Sequence, residues 1–251
     1  MAIHFNEHLS MTNQNGSARL LPAAILALGA VLAATIFGAF FHSSRASRDT
    51  VQVVGAASER FTSDVIKWQI TLARTVDAAV LPSGYAQLRG DVERVRAQLS
   101  GAGIPDSAVS TQPVSANPIY NQTGTINSYQ VIQGIVVISS DVDGVERWAM
   151  DPGTLLGDGV VMQGSQLEYF YSGLDSLKHD LLAAATRDAH RRASEIAGSA
   201  EREVGSIVSA RAGVFQINEP YANEVSAYGM YNTGTRQKQI TVTVHSTFVL
   251  D

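Results

Sequence analysis

Residues 237–250, QKQITVTVHSTFVL, alternate more cleanly than any other part of the chain. Ile240, Val242, Val244 and Phe248 share one side, while Thr241, Thr243, His245 and Thr247 share the other. A period of two with β-branched residues on both sides predicts a half-buried antiparallel strand, dry on one face and wet on the other. A strand of this kind needs a layer to cover its dry face, so the question is what the preceding chain supplies.

Working back from it, a strand is expected over about 204–216, and before that a long helix over about Leu174 to Ala200. In that helix Leu177, Leu181, Ala185, Ala189, Ala193 and Ala197 fall every fourth residue, and alanine permits close packing on a sheet. Further back lie a strand over Ser165 to Tyr171 and a short helix over about Val142 to Leu156. Two strands, Val109 to Tyr120 and Ser128 to Ser139, are joined by the turn-rich NQTGTIN. A helix opens at Pro82 and Ser83, carries Tyr85, Leu88, Val92, Val95 and Leu99 at helical spacing, and is stopped by Gly101 and Gly103. Ile66, Trp68, Ile70 and Leu72 alternate with Lys67, Gln69, Thr71 and Ala73, and a first strand runs from Val51 to about Gly55. Antiparallel strand pairs interrupted by helices predict an α+β domain over residues 51–251 rather than a doubly wound sheet.

Ahead of this domain stands Leu20 to Phe41, twenty-two residues without a charge. As a helix it reaches about 33 Å, enough to span a hydrocarbon core of about 30 Å. A secretory signal has a shorter apolar core and a small-x-small cleavage site. Here the best such site, Ser44-Arg45-Ala46, lies beyond Phe40 and Phe41 and contains an arginine. The expected organisation is a tail over 1–19, an uncleaved transmembrane anchor over 20–41 that meets the lipid bilayer, and a linker over 42–50. Arg19 precedes the anchor and Arg45 and Arg48 follow it, so charge alone does not orient it with the domain outside. Ala23, Ala27, Ala30, Ala34 and Gly38 recur on one helical face, a stripe that suits helix–helix packing and that membrane helices also carry by composition alone.

Chemistry is sparse. Glu7 and Arg19 cancel, so the chain beyond the tail keeps the whole net charge of -5, and no basic stripe for nucleic acid is present. There is no cysteine, which excludes disulfides, thiolate catalysis and cysteine metal sites. Of the six histidines, His179 and His190 share a helix face but stand about 16 Å apart along the axis, too far to chelate one metal. Asp180, Asp188, Glu195, Arg187, Arg191 and Arg192 on the same helix read as a solvated or interface face. No G-x-S-x-G, H-E-x-x-H or Walker loop occurs, so no catalytic set, metal or cofactor is expected. Asn121-Gln122-Thr123 matches a glycosylation sequon, a motif that also arises by chance. The remaining feature is the loop 218–236, NEPYANEVSAYGMYNTGTR, whose Tyr221, Tyr228, Met230 and Tyr231 fit an interface arm; a disordered hairpin tip has the same composition.

Taken in order, these segments resemble the SIMPL-domain family, which includes bacterial YggE-like envelope proteins. The resemblance is carried by Val53-Val54-Gly55 followed by Ser63-Asp64 and the next strand, with Ser63 standing where the family usually has proline. It continues through Gly103-Ile104, Thr111, Pro118-Ile119-Tyr120 and Tyr129-Gln130-Val131. It ends with the alanine helix, Val204-Gly205-Ser206-Ile207 and the closing ITVTVHSTFVL. The resemblance implies a domain without an established enzymatic activity, exported to the bacterial envelope. It further implies ring- or barrel-like homo-oligomers, links in some members to oxidative stress or host immune recognition, and an anchor with its N-terminus inside, the domain lying in the periplasm. Bacterial members often carry cleavable signals, in which case outer-membrane association would follow. Two functional classes result: a self-assembling, membrane-anchored scaffold, or a monomeric or dimeric periplasmic module that captures a protein or small ligand.

Overall fold

The computed structural model describes residues 17–45, 49–153 and 159–251, with side chains described over 24–41 of the first helix. They form two compact units that divide between Asp49 and Thr50. The first contains helix α1, Ser17–Arg45. Its stretch Ala24–Phe41 has a mean hydropathy of 2.3, and it is the one helix among the described residues long and apolar enough to cross a membrane. All its described side chains are exposed, apolar ones included, so nothing in the unit covers them. That is compatible with a single-pass anchor and with a signal sequence.

The second unit is α+β, as the alternation and the helix spacing predict. In chain order it holds strands β1 (Thr50–Thr62) and β2 (Val65–Asp77), helix α2 (Leu81–Gly101), and strands β3 (Val109–Thr111), β4 (Ser115–Tyr120) and β5 (Ile126–Ser139). There follow helix α3 (Val142–Met150), strand β6 (Met162–Phe170), helix α4 (Leu174–Ser199), and strands β7 (Val204–Ala212), β8 (Gln216–Asn218), β9 (Met230–Tyr231) and β10 (Gln237–Leu250).

Two sheets result. In the first, β10 pairs antiparallel with β1 along its whole length, from Thr50 opposite Val249 to Thr62 opposite Gln237. The other edge of β10 is shared: β7 takes Val244 to Leu250 and β8 takes Gln239 to Thr241. The short β9 adds to β8 in parallel. In the second sheet β2 is central between β5 and β6, and the outer edge of β5 receives β3 and β4.

Each sheet is covered on one face by its own helix. On the second sheet, Leu88, Val92, Val95 and Leu99 of α2 pack onto Ile66, Trp68, Ile70 and Leu72 of β2 and Val131, Ile135 and Val137 of β5. An ion pair reinforces this layer: Arg74 of β2 donates Nε and Nη2 to the two oxygens of Asp91 at 2.5 and 2.8 Å, with the carboxylate buried under the helix. The helix stops as its glycines predict, with Gly103 at φ +87° and Ile104 N–H donating to Leu99 O at 3.0 Å.

On the first sheet the alanine ladder of α4 is fully used. Ala185, Ala189, Ala193 and Ala197 are buried against β1 and β10, next to Val51, Val53, Val244 and Phe248. The approach is close enough that a Cβ on Gly55 would lie 2.1 Å from Ala185 O and 2.4 Å from Ala189 N, both backbone atoms. Beside this contact the Asp188 carboxylate accepts the Ala56 backbone N–H at 2.9 Å. The helix therefore does more than present a solvated charge at Asp188: it satisfies an outward amide of edge strand β1, and Arg191 and Arg192 complete the carboxylate's partners.

Several element limits differ from the sequence expectation. The first strand does not end near Gly55 but continues to Thr62, because beyond the α4 contact both its faces are largely exposed and polar residues suffice. The strand expected over 109–120 is broken at Gln112 to Val114, where Pro113 has no N–H to give a ladder and Gln112 N–H donates to Gly134 O at 2.8 Å. The strand expected over 204–216 is two strands, parted at Gly213, whose N–H returns to Thr243 O at 2.8 Å. Helix α3 ends at Met150, short of Leu156, part of the stretch 154–158 that lies outside the described residues.

Gly55→Ala should force α4 off the sheet at its tightest point. Thermal unfolding followed by circular dichroism should show a loss of at least about 3 kcal/mol, whereas Gly90→Ala, on an open part of α2, should leave the melting temperature unchanged or raised. Equal stability of Gly55→Ala and wild type would show that the helix sits farther from β1.

Candidate functional site

The loop 218–236 leaves β8 and returns to β10, and two amide side chains fix its course. Gln216 Nε2 donates to Ser226 O at 2.6 Å while its Oε1 accepts from Ser226 N at 3.2 Å. Asn218 Nδ2 donates to Glu224 O at 2.8 Å. The segment thus carries side-chain-to-backbone bonds of the kind that fix a loop's course.

The four sequence-identified loop residues separate into two pairs. Tyr221 and Tyr228 are 85% and 96% exposed. Tyr221 has φ +70°, its ring lies 4.5 Å under the Arg60 guanidinium, and Arg60 Nη1 donates to its hydroxyl at 3.3 Å. Met230 and Tyr231 instead form β9, Met230 half-buried and Tyr231 still 40% exposed, with the Tyr231 ring edge-on to Phe170 at 6.1 Å. Burial raises the Tyr231 phenol above its ordinary value. A second exposed arm is the β4–β5 hairpin, where Ile119 and Tyr120 face solvent. Asn121, the sequon asparagine, accepts from Thr123 N, Thr123 Oγ1 and Thr125 N, which makes it the turn-forming residue of that tip. In the anchor, Ala27, Ala30, Ala34 and Gly38 are exposed on α1, and the side chain of Ala23 lies outside the described residues.

Beneath the loop runs a polar seam that joins the two sheets. Thr233 O accepts from Tyr169 N at 2.8 Å, so the stretch after β9 adds to the edge of β6. Arg236 O accepts from Ser63 N at 3.0 Å, a bond that proline at position 63 would abolish. Arg236 Nη1 reaches Asp143 at 2.5 Å and Glu146 at 3.3 Å on α3, and the buried Tyr169 hydroxyl donates to Glu146 at 2.7 Å. Burial first, then the Glu146 carboxylate, push the Tyr169 phenol up to about 12. The bond to Arg236 holds Asp143 below the usual carboxylate range. Nearby, Asp64 accepts from both the N–H and the hydroxyl of Ser172 at 2.8 and 2.5 Å. The Lys67 ammonium, with Gln69, holds Glu168 low.

Lys238 is the most unusual member. It occupies the inward register of β10, one step before Ile240, and is fully buried. Its ammonium donates to Asn232 O at 2.5 Å and stands 6.0 Å over the Tyr231 ring. Burial drives it down to about 8. The sequence signal for it was its parity with Ile240, Val242 and Val244; Glu146, Tyr169 and Arg236 meet from three distant segments and carry no comparable signal. Among the described residues no three His, Asp or Glu side chains gather as a metal set.

The stretch that builds these two helix-covered antiparallel sheets has a counterpart among known families. Residues 51–248 match the family described as SIMPL, protein of unknown function (DUF541). The chain belongs to the SIMPL family. No curated protein matches it. Within this SIMPL domain, Gly55 acquires its reason from the α4 backbone, and the Ser63 N–H is used by Arg236 O.

The seam makes a pH prediction with two arms. A lysine that titrates near 8 when folded and near 10.4 when unfolded binds its proton more tightly in the unfolded chain, so its contribution to stability rises with pH across that window. Tyr169, raised to about 12 from about 10, contributes stability below pH 10 that is lost above it. The melting temperature of wild type minus that of Lys238→Met should therefore rise between about pH 8 and 10, and that of wild type minus Tyr169→Phe should fall above about pH 10. A flat difference in either pair would remove the corresponding group from the account.

Proposed function

We propose that this SIMPL protein is a non-enzymatic, membrane-anchored envelope component that self-assembles into a large ring- or barrel-like homo-oligomer. In this reading α1 is an uncleaved anchor in a bacterial inner membrane, the SIMPL domain is periplasmic, and its role is structural, tied to envelope or oxidative stress as the family resemblance implies. The observation that carries the assembly is the ordered loop 218–236, which holds Tyr221, Val225 and Tyr228 out at 85%, 81% and 96% exposure. Large apolar and aromatic side chains displayed on a loop whose backbone is already fixed bring contact area at low ordering cost. The β4–β5 hairpin supplies a second such projection. The non-enzymatic part of the reading is supported by where the ionisable groups go: Asp64 is bonded to Ser172, Glu168 to Lys67 and Gln69, Tyr169 to Glu146, Glu146 also to Arg236, and Lys238 to Asn232 O, all within the domain.

A second reading, a tethered monomeric or dimeric binding module, is favoured by one observation, an acid-free trough across β1, β10 and β7. Particle mass separates the two. Light scattering of the full chain in mild detergent, with electron-microscope imaging of the same fractions, should give one discrete high-mass ring, and so should a chain starting at Asp49. The double substitution Tyr221→Ser with Tyr228→Ser should reduce the particle to its monomer while the circular dichroism spectrum stays unchanged. A monomer peak for wild type would refute the assembly, and a ring lost only on removal of α1 would move assembly to the Ala23, Ala27, Ala30, Ala34 and Gly38 face.

A further inference from the structure

The face of the first sheet turned away from α4 is open, and its central part is concave. A trough of about 730 Å³ crosses three strands there, lined by Gln52, Val54, Ser209, Arg211, His245 and Thr247 together with backbone between them. The strand register places these six in two rows. Gln52 of β1 stands opposite Thr247 of β10, which stands opposite Ser209 of β7. One step along, Val54 stands opposite His245, which stands opposite Arg211. Cross-strand neighbours of this kind have Cβ atoms about 5 Å apart, so the guanidinium, imidazole, two hydroxyls and an amide reach a common volume.

The concavity has a local cause. The pairing of β7 with β10 slips between Thr247 and Phe248 and again between Phe248 and Leu250, and such bulges bend a strand and sharpen its twist. The first of these slips lies at Thr247, one end of the trough.

The charge pattern gives the ligand class. The chain carries a net charge of -5, yet no aspartate or glutamate lines this trough. Among the described residues, Arg211 and His245 take part in no ion pair, as is true also of Arg89 and Arg187; what distinguishes Arg211 is the imidazole, hydroxyl and amide side chains that line the same trough. A planar guanidinium beside hydroxyl and N–H donors is the arrangement that recognises an oxyanion, and imidazole donates an N–H in either tautomer.

We propose that this trough is a binding site for an oxyanion group, phosphate in particular, held by Arg211 with His245, Ser209, Thr247 and Gln52 as hydrogen-bond donors. The site does not depend on the assembly proposed above, since every residue in it belongs to one chain.

The test uses the full chain in phosphatidylcholine nanodiscs at fixed ionic strength, with radiolabelled inorganic phosphate and equilibrium dialysis. Saturable binding is expected, weakened at least tenfold by Arg211→Gln and measurably by His245→Gln, with Arg89→Gln on exposed α2 binding like wild type. Circular dichroism melting checks that each variant is folded, and a melting-temperature rise with phosphate that Arg211→Gln lacks is the second readout. Repeating the titration in discs that contain phosphatidic acid assigns the source: competition means the site takes a lipid headgroup, and no competition means it takes the free ion. No saturable binding by wild type, equal binding by Arg211→Gln, or an equal loss in Arg89→Gln would overturn the site, the last by showing diffuse attraction only.

Discussion

The contact between Gly55 and the backbone of α4 is the constraint from which the first sheet takes its form. A helix can lie that close to a strand only where the strand has no Cβ and the helix presents nothing larger than a methyl group, and here Gly55 meets Ala185 and Ala189. Close approach also brings the Asp188 carboxylate within reach of the Ala56 N–H, so the same geometry that buries the alanines protects an edge amide. With α4 seated on one face of β10, Ile240, Val242, Val244 and Phe248 have their cover, and the threonine and histidine side of the strand is left facing outward. The open trough on that face is thus a consequence of which side the helix takes.

The second constraint is how the two sheets are joined. They share no strand; the join is made by turns and by the stretch after β9. That stretch adds to β6 through Thr233, accepts from Ser63 through Arg236 O, and reaches α3 through the Arg236 guanidinium. Placing a guanidinium, a phenol and carboxylates in one seam costs desolvation that directed bonds offset in part, whereas the fully buried Lys238 ammonium keeps a net penalty that lowers its pKa. A seam of this type favours one relative placement of the sheets over others, because a sliding movement would leave several buried polar groups without partners.

The sequence was most readable where one face of an element is uniformly apolar. The alternation of β10 and β2 and the fourfold spacing of Leu177 to Ala197 each report burial directly, and the elements they predict are present. It was least readable where burial is uneven. The second half of β1, Ala56 to Arg60, has no apolar alternation because it runs past the helix, and only pairing with β10 makes it a strand. Breaks at Pro113 and Gly213 follow local chemistry that could have been read, whereas the seam could not: Asp64, Glu146, Tyr169 and Arg236 acquire their roles only when four separate segments meet. The loop was half legible. Its tyrosines marked an unusual segment, but composition does not distinguish the almost fully exposed Tyr221 and Tyr228 from Met230 and Tyr231, which pair with β8 as β9.

The pairing of β9 with β8 is one of several contacts that fix the course of this exposed loop. Tyr231 and Met230 fasten one end to β8, Gln216 and Asn218 clamp the middle through Ser226 and Glu224, and Arg60 holds Tyr221 from below. The ordering entropy of the loop is therefore met by contacts inside its own domain, before any partner arrives. A surface prepared in this way can bind through a small number of large side chains with little further loss of freedom. The trough differs in kind, since it rests on three paired strands and offers donors rather than apolar area. The domain thus presents two surfaces of opposite chemistry, an aromatic one on the loop and a hydrogen-bonding one on the sheet. Because the loop follows β8 and the trough includes β7, both surfaces hang from the same edge of β10, the strand that α4 holds in place.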